Sequence, residues 1–151
     1  MLDRISIDLL RALQSDSRQT LQELADRVGL SPTPCWRRIK ALEQSGILRS
    51  YTVLLDRDKI GLSFCSMATI TLSRHAEGSV DTFEAAMKRA VEVVECYGTT
   101  GDGDYVIKVL VADAKAYDAF LHEKIFKLGV VASIRSNIAL REVKYQTALP
   151  V

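Results

Sequence analysis

The sequence has few of the features that mark secreted, membrane-spanning or metal-binding proteins. It holds two histidines and three cysteines in 151 residues, and Cys35, Cys65 and Cys96 lie about 30 residues apart without a CxxC pair. This spacing predicts reduced thiols and neither a disulfide framework nor a zinc site. No apolar run reaches the roughly 20 residues that span a bilayer, and the first residues lack the layout of a signal peptide. We expect a soluble, cytoplasmic protein with no metal, cofactor or membrane partner.

An excess of charge of either sign is also missing. The 20 Lys and Arg residues nearly balance 19 Asp and Glu, which leaves a net charge of +1 and no overall reason to expect nucleic acid. Locally the balance fails, because residues 31–49 carry Arg37, Arg38, Lys40 and Arg49 against the single acid Glu43. A cluster of this size is ordinarily a solvated helix face. It indicates a nucleic-acid site only if its helix is built to enter a groove.

The first third of the chain predicts three helices. Asp3 or Ser6 can cap a helix whose apolar residues recur at helical spacing up to Leu13. The segment Thr20 to Glu23 spells a capping box, and Gly29 ends the short helix that follows it. Ser31 can cap a third helix, with Pro32 and Pro34 in its first turn. Two short helices joined by a tight turn predict a helix-turn-helix unit.

The third helix has one apolar stripe, formed by Cys35, Ile39 and Leu42, and the remaining residues face outward. Arginine can hold guanine through two hydrogen bonds, and a threonine can touch a thymine methyl or a phosphate. Trp36 either contacts DNA or braces the packing of the helices, and the sequence leaves both readings open. The predicted DNA-binding residues are Ser31, Thr33, Trp36, Arg37, Arg38 and Lys40.

The rest of the chain predicts a second domain of alternating strands and helices. After a linker at 49–62, with a strand at 51–55, we expect strands at 64–73, 93–100, 105–112 and 132–143 and helices at 79–91 and 114–127. This order, β-α-β-β-α-β, is ferredoxin-like and gives an α+β protein with domains at 1–48 and 63–151. Strands that are apolar on both faces predict that the open face of the sheet packs on a second copy.

The turn between the two middle strands is the candidate ligand site. Gly98, Gly101 and Gly103 leave main-chain N–H groups accessible to a ligand carboxylate, and Asp104 can accept an α-ammonium group. The same residues are typical of a plain tight turn with a capping aspartate, because glycine marks ordinary turns well. The residues alone favour the plain turn and leave the ligand site as the alternative.

With these motifs in place, the whole chain resembles the Lrp/AsnC family of bacterial and archaeal transcription regulators. The resemblance rests on ordered stretches across both domains: Val28-Gly29-Leu30-Ser31-Pro32-Thr33-Pro34-Cys35, Arg38 to Glu43, Gly101-Asp102-Gly103-Asp104-Tyr105 and Thr147 to Pro150. It implies a winged helix-turn-helix domain and a RAM-type ferredoxin-like domain. It also implies a homodimer, commonly assembled into an octamer, that binds a pseudo-palindromic promoter site on double-stranded DNA.

The resemblance further implies that an amino-acid effector binds between dimers near the turn. The effector-binding residues expected on this basis are Gly98, Thr100, Gly101, Asp102, Asp104, Tyr105, Ser136 and Thr147. Asn137 and Ile138 stand where relatives often carry a small hydroxyl residue and an aromatic one, so the identity of the amino acid is not implied.

Two other functions compete with regulation. Some proteins of this architecture resemble the family yet decarboxylate a modified tetrapyrrole, which needs His or Arg groups in a cavity. His75 follows a predicted strand and His122 lies on the polar side of a predicted helix, and no nucleophile pairs with either, so we expect no catalytic residues. A stand-alone ligand-binding module with a vestigial N-terminal unit is the other alternative, and Arg37, Arg38 and Lys40 argue against it.

Overall fold

The computed structural model describes residues 2–73 and 78–151. The chain forms two units, of which the first contains Met1–Leu54 together with Lys144–Val151 and the second contains Leu55–Val143. The sequence predicts a second domain of residues 63–151, whereas residues 144–151 group with the first unit in the structure. No helix among the described residues is long and apolar enough to cross a membrane.

The first unit is built from three helices: α1 (Arg4–Ser15), α2 (Leu21–Arg27) and α3 (Pro32–Gln44). Asp3 caps α1, because its carboxylate accepts a hydrogen bond from the Ser6 amide at 2.9 Å. The capping box at the start of α2 is confirmed in both directions, between Thr20 and Glu23. The helices bury a shared core of Leu9, Ala12, Leu13, Leu24, Ala25, Cys35 and Ile39.

The second unit contains a four-stranded sheet and two helices. Its elements are β1 (Phe64–Leu72), α4 (Ser79–Arg89), β2 (Val93–Gly98), β3 (Tyr105–Val111), α5 (Ala114–Phe120) and β4 (Val131–Ile138). The strands pair antiparallel in the order β2-β3-β1-β4. This arrangement confirms the predicted ferredoxin-like α+β fold.

Alternation along the strands separates the two faces of the sheet. Ala68 and Ile70 on β1 lie beside Ile107 and Tyr105 on β3, and these four belong to the core that also holds Phe83. Met67 points to the opposite face and is 40% exposed. We call this opposite side the open face; its residues include Met67, Thr69, Val106, Lys108 and Leu110.

Three predicted elements differ from the structure. Residues 51–56 form no strand, because a strand needs a hydrogen-bonded neighbour and the described part of the chain offers this segment none. The last helix remains α-helical only to Phe120 and continues as a π-helical turn, Leu121–Ile125, and a 3-10 turn, Phe126–Leu128. The last strand ends at Ile138, where its pairing with Ser66 of β1 ends.

Candidate functional site

The turn between α2 and α3 is fixed by main-chain hydrogen bonds. Gly29, with φ of 67°, follows the end of α2. Its amide donates to Asp26 O at 3.4 Å and the Leu30 amide to Ala25 O at 2.9 Å, which is the pairing of a Schellman motif. The left-handed glycine therefore ends α2 and turns the chain directly into α3.

One side of α3 is buried and the other faces solvent. Cys35, Ile39 and Leu42 are buried, as predicted, and burial raises the pKa of the Cys35 thiol. Trp36 is 50% exposed. Thr33, Arg37 and Lys40 are exposed beside it. The helix therefore presents a polar and aromatic surface of the kind that fits a DNA groove.

Ser31 is the N-cap residue of α3, but its hydroxyl accepts no capping hydrogen bond. An N-cap side chain normally accepts from the amide two or three residues on. Pro34 occupies the third position of the helix and has no N–H to offer. Ser31 is exposed, and its hydroxyl makes no capping bond, so it is available to an external partner such as a phosphate.

Arg38 is half-buried, whereas the other residues predicted beside it on α3 are exposed. Its Nη1 lies 2.6 Å from Asp3 Oδ2 and 3.3 Å from Ser6 Oγ, so it ties α3 to the start of α1. Hydrogen bonds from Ser6, and then the one from Arg38, lower the pKa of Asp3 to about 2. Within the described residues this arginine supports the position of α3.

Lys40 is exposed but already has a partner. Its ammonium lies 2.6 Å from Glu43 Oε2, and the Tyr51 hydroxyl donates to Glu43 Oε1 at 3.1 Å. Hydrogen bonding to Lys40 lowers the pKa of Glu43. Arg37, in contrast, has no hydrogen-bond or ion-pair partner in the described part of the chain. It is therefore the cation of α3 most free to meet a polyanion.

In the second unit, the loop between β2 and β3 (residues 99–104, the hairpin loop) is fastened to β1. The Asp104 amide donates to Ile70 O at 2.8 Å, and Asp104 Oδ2 accepts from the Leu72 amide at 2.7 Å. A Cβ at Gly103 would lie 2.3 Å from Thr69 Cγ2 and 3.1 Å from Ile70 O. Glycine at 103 therefore permits close approach to β1, and part of the Asp104 carboxylate is used within the fold.

A cleft of about 490 Å³ lies beside the hairpin loop. Four of the predicted effector-binding residues line it, namely Gly98, Thr100, Asp104 and Tyr105. Gly101 and Asp102 are exposed on the loop but do not line this cleft. Sequence reasoning missed its other lining residues, Leu72, Ser73, Ser79, Val80 and Thr99. The antiparallel pairing of Ile70 with Tyr105 was the available signal, because it brings the end of β1 to the start of β3.

Tyr105 forms one wall of the cleft. Its hydroxyl donates to Glu84 Oε1 at 2.9 Å, and its ring packs 4.8 Å from that of Phe83. Burial, and next the bond to Glu84, raise the pKa of Tyr105 to about 12. The phenol is therefore neutral at physiological pH and its proton is already committed to a carboxylate.

Two further predicted effector residues, Ser136 and Thr147, do not line this cleft. Ser136 on β4 is bonded to the Tyr117 hydroxyl at 2.7 Å, because its position opposite Ala68 turns it to the helix-covered face. Thr147 belongs to the first unit and lines a different groove, with Leu13 and Tyr51. Neither Ser136 nor Thr147 is among the residues that line the cleft beside the hairpin loop.

The candidate catalytic side chains considered from the sequence, the two histidines, form no cluster that the structure describes. His122 is exposed, and its Nδ1 lies 3.0 Å from Asp118 O. His75 lies outside the described residues. No group of three metal-ligating side chains occurs in the described ranges, and Cys35, Cys65 and Cys96 are free.

A helix-turn-helix in one unit and a ligand-sized cleft in the other are the features of a ligand-responsive DNA-binding protein. Comparison with known proteins agrees with this class. Residues 2–49 match the family model for winged helix-turn-helix DNA-binding domains, and residues 65–149 match that for the Lrp/AsnC ligand binding domain. The chain belongs to the Lrp/AsnC family of transcription regulators.

Individual relatives extend over the full chain. The leucine-responsive regulatory protein of Salmonella typhimurium is 39% identical over 99% of this chain and 92% of its own length. The DNA-binding transcriptional activator DecR of Escherichia coli is 37% identical over 100% of this chain and 99% of its own.

A solved transcriptional regulator from Neisseria meningitidis, in complex with L-Met, is similar with a TM-score of 0.94 and 34% identity. The match covers 99% of this chain and 97% of that one. Together the relatives identify a transcription regulator and not an enzyme.

Proposed function

We propose that this protein binds promoter DNA through the outer surface of α3 and that an amino acid in the second unit controls the binding. The observation that carries the proposal is the exposure of Thr33, Trp36 and Arg37 on a helix whose opposite side is buried. A basic, aromatic helix surface after a tight turn suits the major groove. Since the target is chromosomal DNA, we place the protein in the cytoplasm.

The proposed DNA contacts are those predicted from the sequence, with different roles. Arg37 and Thr33 are assigned to base edges or phosphates, and Ser31 to a phosphate at the start of α3. Lys40 contributes after exchanging Glu43 for a phosphate. Arg38 acts by holding α3 against α1, because its guanidinium is bonded to Asp3.

The decisive experiment reverses the charge of Arg37 and Lys40. The variant Arg37→Glu/Lys40→Glu is expected to lose binding to the DNA upstream of its own gene in a gel-shift titration. Lys115→Glu/Lys127→Glu is the matched control, since it changes the net charge equally at exposed residues of the second unit. Retained binding by the first variant would falsify the assignment to α3.

The hairpin cleft is proposed as the effector site. Main-chain groups near Gly98 and the hydroxyl of Thr100 suit a carboxylate, and the remaining oxygen of Asp104 suits an ammonium group. The related Neisseria regulator binds L-Met. Calorimetric titration with L-methionine and L-leucine, and then with the other common amino acids, tests the site. Thr100→Val is expected to weaken the binding of whichever amino acid responds.

We further propose a homodimer formed through the open face, with assembly to an octamer. Val106 and Leu110 are only partly buried there, and Met67 between them is 40% exposed. Paired copies would present two α3 helices to a pseudo-palindromic site. Met67→Glu is expected to reduce the particle mass in light scattering. Val91→Glu, at a position that is 89% exposed, is the control and is expected to leave the mass unchanged.

We also propose two functional domains with the limits predicted from the sequence, 1–48 and 63–151. The first would read DNA, and the second would bind the effector and a second copy. Expression of residues 1–48 alone, followed by circular dichroism, tests whether the first folds without the second.

A further inference from the structure

The end of the chain is bound to α1 by a reciprocal pair of hydrogen bonds. The Leu149 amide donates to Gln14 Oε1 at 2.6 Å, and Gln14 Nε2 donates to Leu149 O at 3.1 Å. The side-chain amide of Gln14 thus takes the place that a neighbouring strand would take beside an extended peptide. Both hydrogen bonds use main-chain groups of Leu149, and together they position this segment along α1.

A second contact follows immediately. The Val151 amide donates to Leu149 O at 3.0 Å, which bends the chain around Pro150 in a three-residue turn. Proline suits this central position because its ring fixes φ near the value the turn needs. The turn brings Val151 O to 2.7 Å from Arg11 Nε. Gln14 and Arg11, one helical turn apart on α1, therefore hold two main-chain oxygen atoms of the turn.

Apolar burial does not account for the position of this segment. The side chain of Leu149 is 71% exposed. The segment makes polar contacts with Gln14 and Arg11. Beside these contacts, Thr147 and Ala148 line a groove of the same unit together with Leu13 and Tyr51. The segment is therefore placed by specific hydrogen bonds.

The path of the chain gives these contacts a consequence. The chain leaves the first unit after Leu54, forms the whole second unit, and returns at Lys144. We propose that residues 144–151 act as an intramolecular strap. The chain returns here from the second unit, and the contacts with Arg11 and Gln14 connect it a second time to the first unit. This second connection limits the reorientation of α3. Without the docked strap, the ordered path of the chain joins the first unit to the second at one crossing, the segment around Leu54, which carries no regular secondary structure.

The single tryptophan offers a direct measurement, because Trp36 lies on α3 and reports the motion of the first unit alone. In the full chain, without DNA or amino acid, the decay of Trp36 fluorescence anisotropy is expected to follow the tumbling of the whole particle. Arg11→Ala/Gln14→Ala is expected to add a faster segmental decay. A variant that lacks residues 149–151 is expected to show the same additional decay, which guards against an effect of the substitutions on α1 itself.

The matched control is Gln146→Ala, which alters a glutamine in the same segment whose side chain has no hydrogen bond in the described structure. Its anisotropy is expected to equal that of the wild type. Hydrogen exchange supplies a local readout: the Leu149 amide is expected to exchange about tenfold faster in Gln14→Ala, equivalent to about 1.4 kcal/mol.

Either of two results overturns the strap. One is wild-type anisotropy in both the double variant and the shortened chain, provided that circular dichroism shows them folded. The other is unchanged exchange at Leu149 in Gln14→Ala. Neither measurement involves DNA or an effector, so a failure of the proposed function leaves this test intact, and the reverse also holds.

Discussion

The Asp104 carboxylate and the Leu72 main-chain amide form a hydrogen bond of 2.7 Å that ties the hairpin loop to the end of β1. The same aspartate is the residue assigned to an effector's ammonium group. One carboxylate thus has a structural bond on Oδ2 and leaves its charge and Oδ1 for a ligand. The two roles can be separated, because the side-chain oxygen of an asparagine can accept the Leu72 hydrogen bond but supplies no negative charge for an ammonium group.

Asp104→Asn is therefore expected to preserve the fold and to weaken amino-acid binding. Asp104→Ala is expected to lower the free energy of unfolding as well, by about 1–3 kcal/mol, since the Leu72 amide is left without its acceptor. Denaturant unfolding and calorimetric titration of both variants make the measurement. Equal binding by Asp104→Asn and wild type would show that the aspartate serves only the loop.

Gly103 is expected to resist substitution because of space. A methyl group there meets Thr69 Cγ2 at 2.3 Å and Ile70 O at 3.1 Å, so β1 or the loop must shift. Gly103→Ala is expected to destabilise the second unit by about 1–3 kcal/mol, as overpacking does. Gly98→Ala is the control, because its nearest neighbour, Tyr105 Cε1, would lie at an ordinary 3.8 Å. Similar melting temperatures for the two variants would contradict the close approach.

A chain of three hydroxyl groups crosses the covered face of the sheet. Ser66, which is fully buried, donates to the Tyr117 hydroxyl at 3.1 Å, and that hydroxyl is bonded to Ser136 at 2.7 Å. Tyr117→Phe is expected to cost about 1–3 kcal/mol of unfolding free energy, because Ser66 is left unsatisfied. Adding Ser66→Ala is expected to recover part of that loss. Additive losses in the double-mutant cycle would mean that the two hydroxyls act independently.

The hydrogen bonds that Asp3 accepts from Ser6, and then from Arg38, predict a pH effect of definite sign. The pKa of Asp3 is lowered from its usual 3.8 to about 2, so protonation favours the unfolded state. The stabilisation is complete above pH 3.8 and is lost as the pH falls through about 2. Asp3→Asn still caps α1 but does not titrate.

Thermal unfolding of wild type and Asp3→Asn between about pH 2 and 6, a range that spans both pKa values, checks this sign. The wild type is expected to be the more stable protein near about pH 5, and the difference is expected to close in acid. A difference in stability between wild type and Asp3→Asn that stays constant with pH would show that the titration of Asp3 does not cause it.

The parts of the fold that depend on nearby residues were predictable from the sequence. Thr20 and Glu23 satisfy each other within one turn, and Gly29 ends α2 by its own conformation. Strand β3 shows its buried side in simple alternation from Tyr105 to Val111. In each case the signal and its cause lie within a few residues.

Features that depend on distant partners were not predictable in this way. The helical pattern placed Arg38 with the outward residues, but its position is decided by Asp3, 35 residues away. The expected strand at 51–55 lacks a neighbour in the described chain. Ser136 turns to Tyr117 because of its register with β1, which no local pattern contains.

Arg37 provides the sharpest test of how DNA is read. It is exposed and has no ion-pair partner among the described residues, whereas Lys40 must first give up Glu43. If Arg37 contacts a base edge, Arg37→Ala is expected to cost about 1–3 kcal/mol on the upstream site and to lower the preference over a scrambled duplex. Lys40→Ala is expected to weaken both duplexes alike and by less.

Fluorescence anisotropy titrations with both duplexes, at several salt concentrations, distinguish these roles. Removing one cation that neutralises a phosphate is expected to reduce the slope of log K against log salt by about 0.9. A base contact changes the preference between duplexes, because phosphates carry no sequence information directly. Lys115→Ala, at an exposed position of the second unit, is expected to change neither quantity. If Arg37→Ala weakens both duplexes equally, Arg37 positions the helix on the backbone, and sequence is read by another residue of α3.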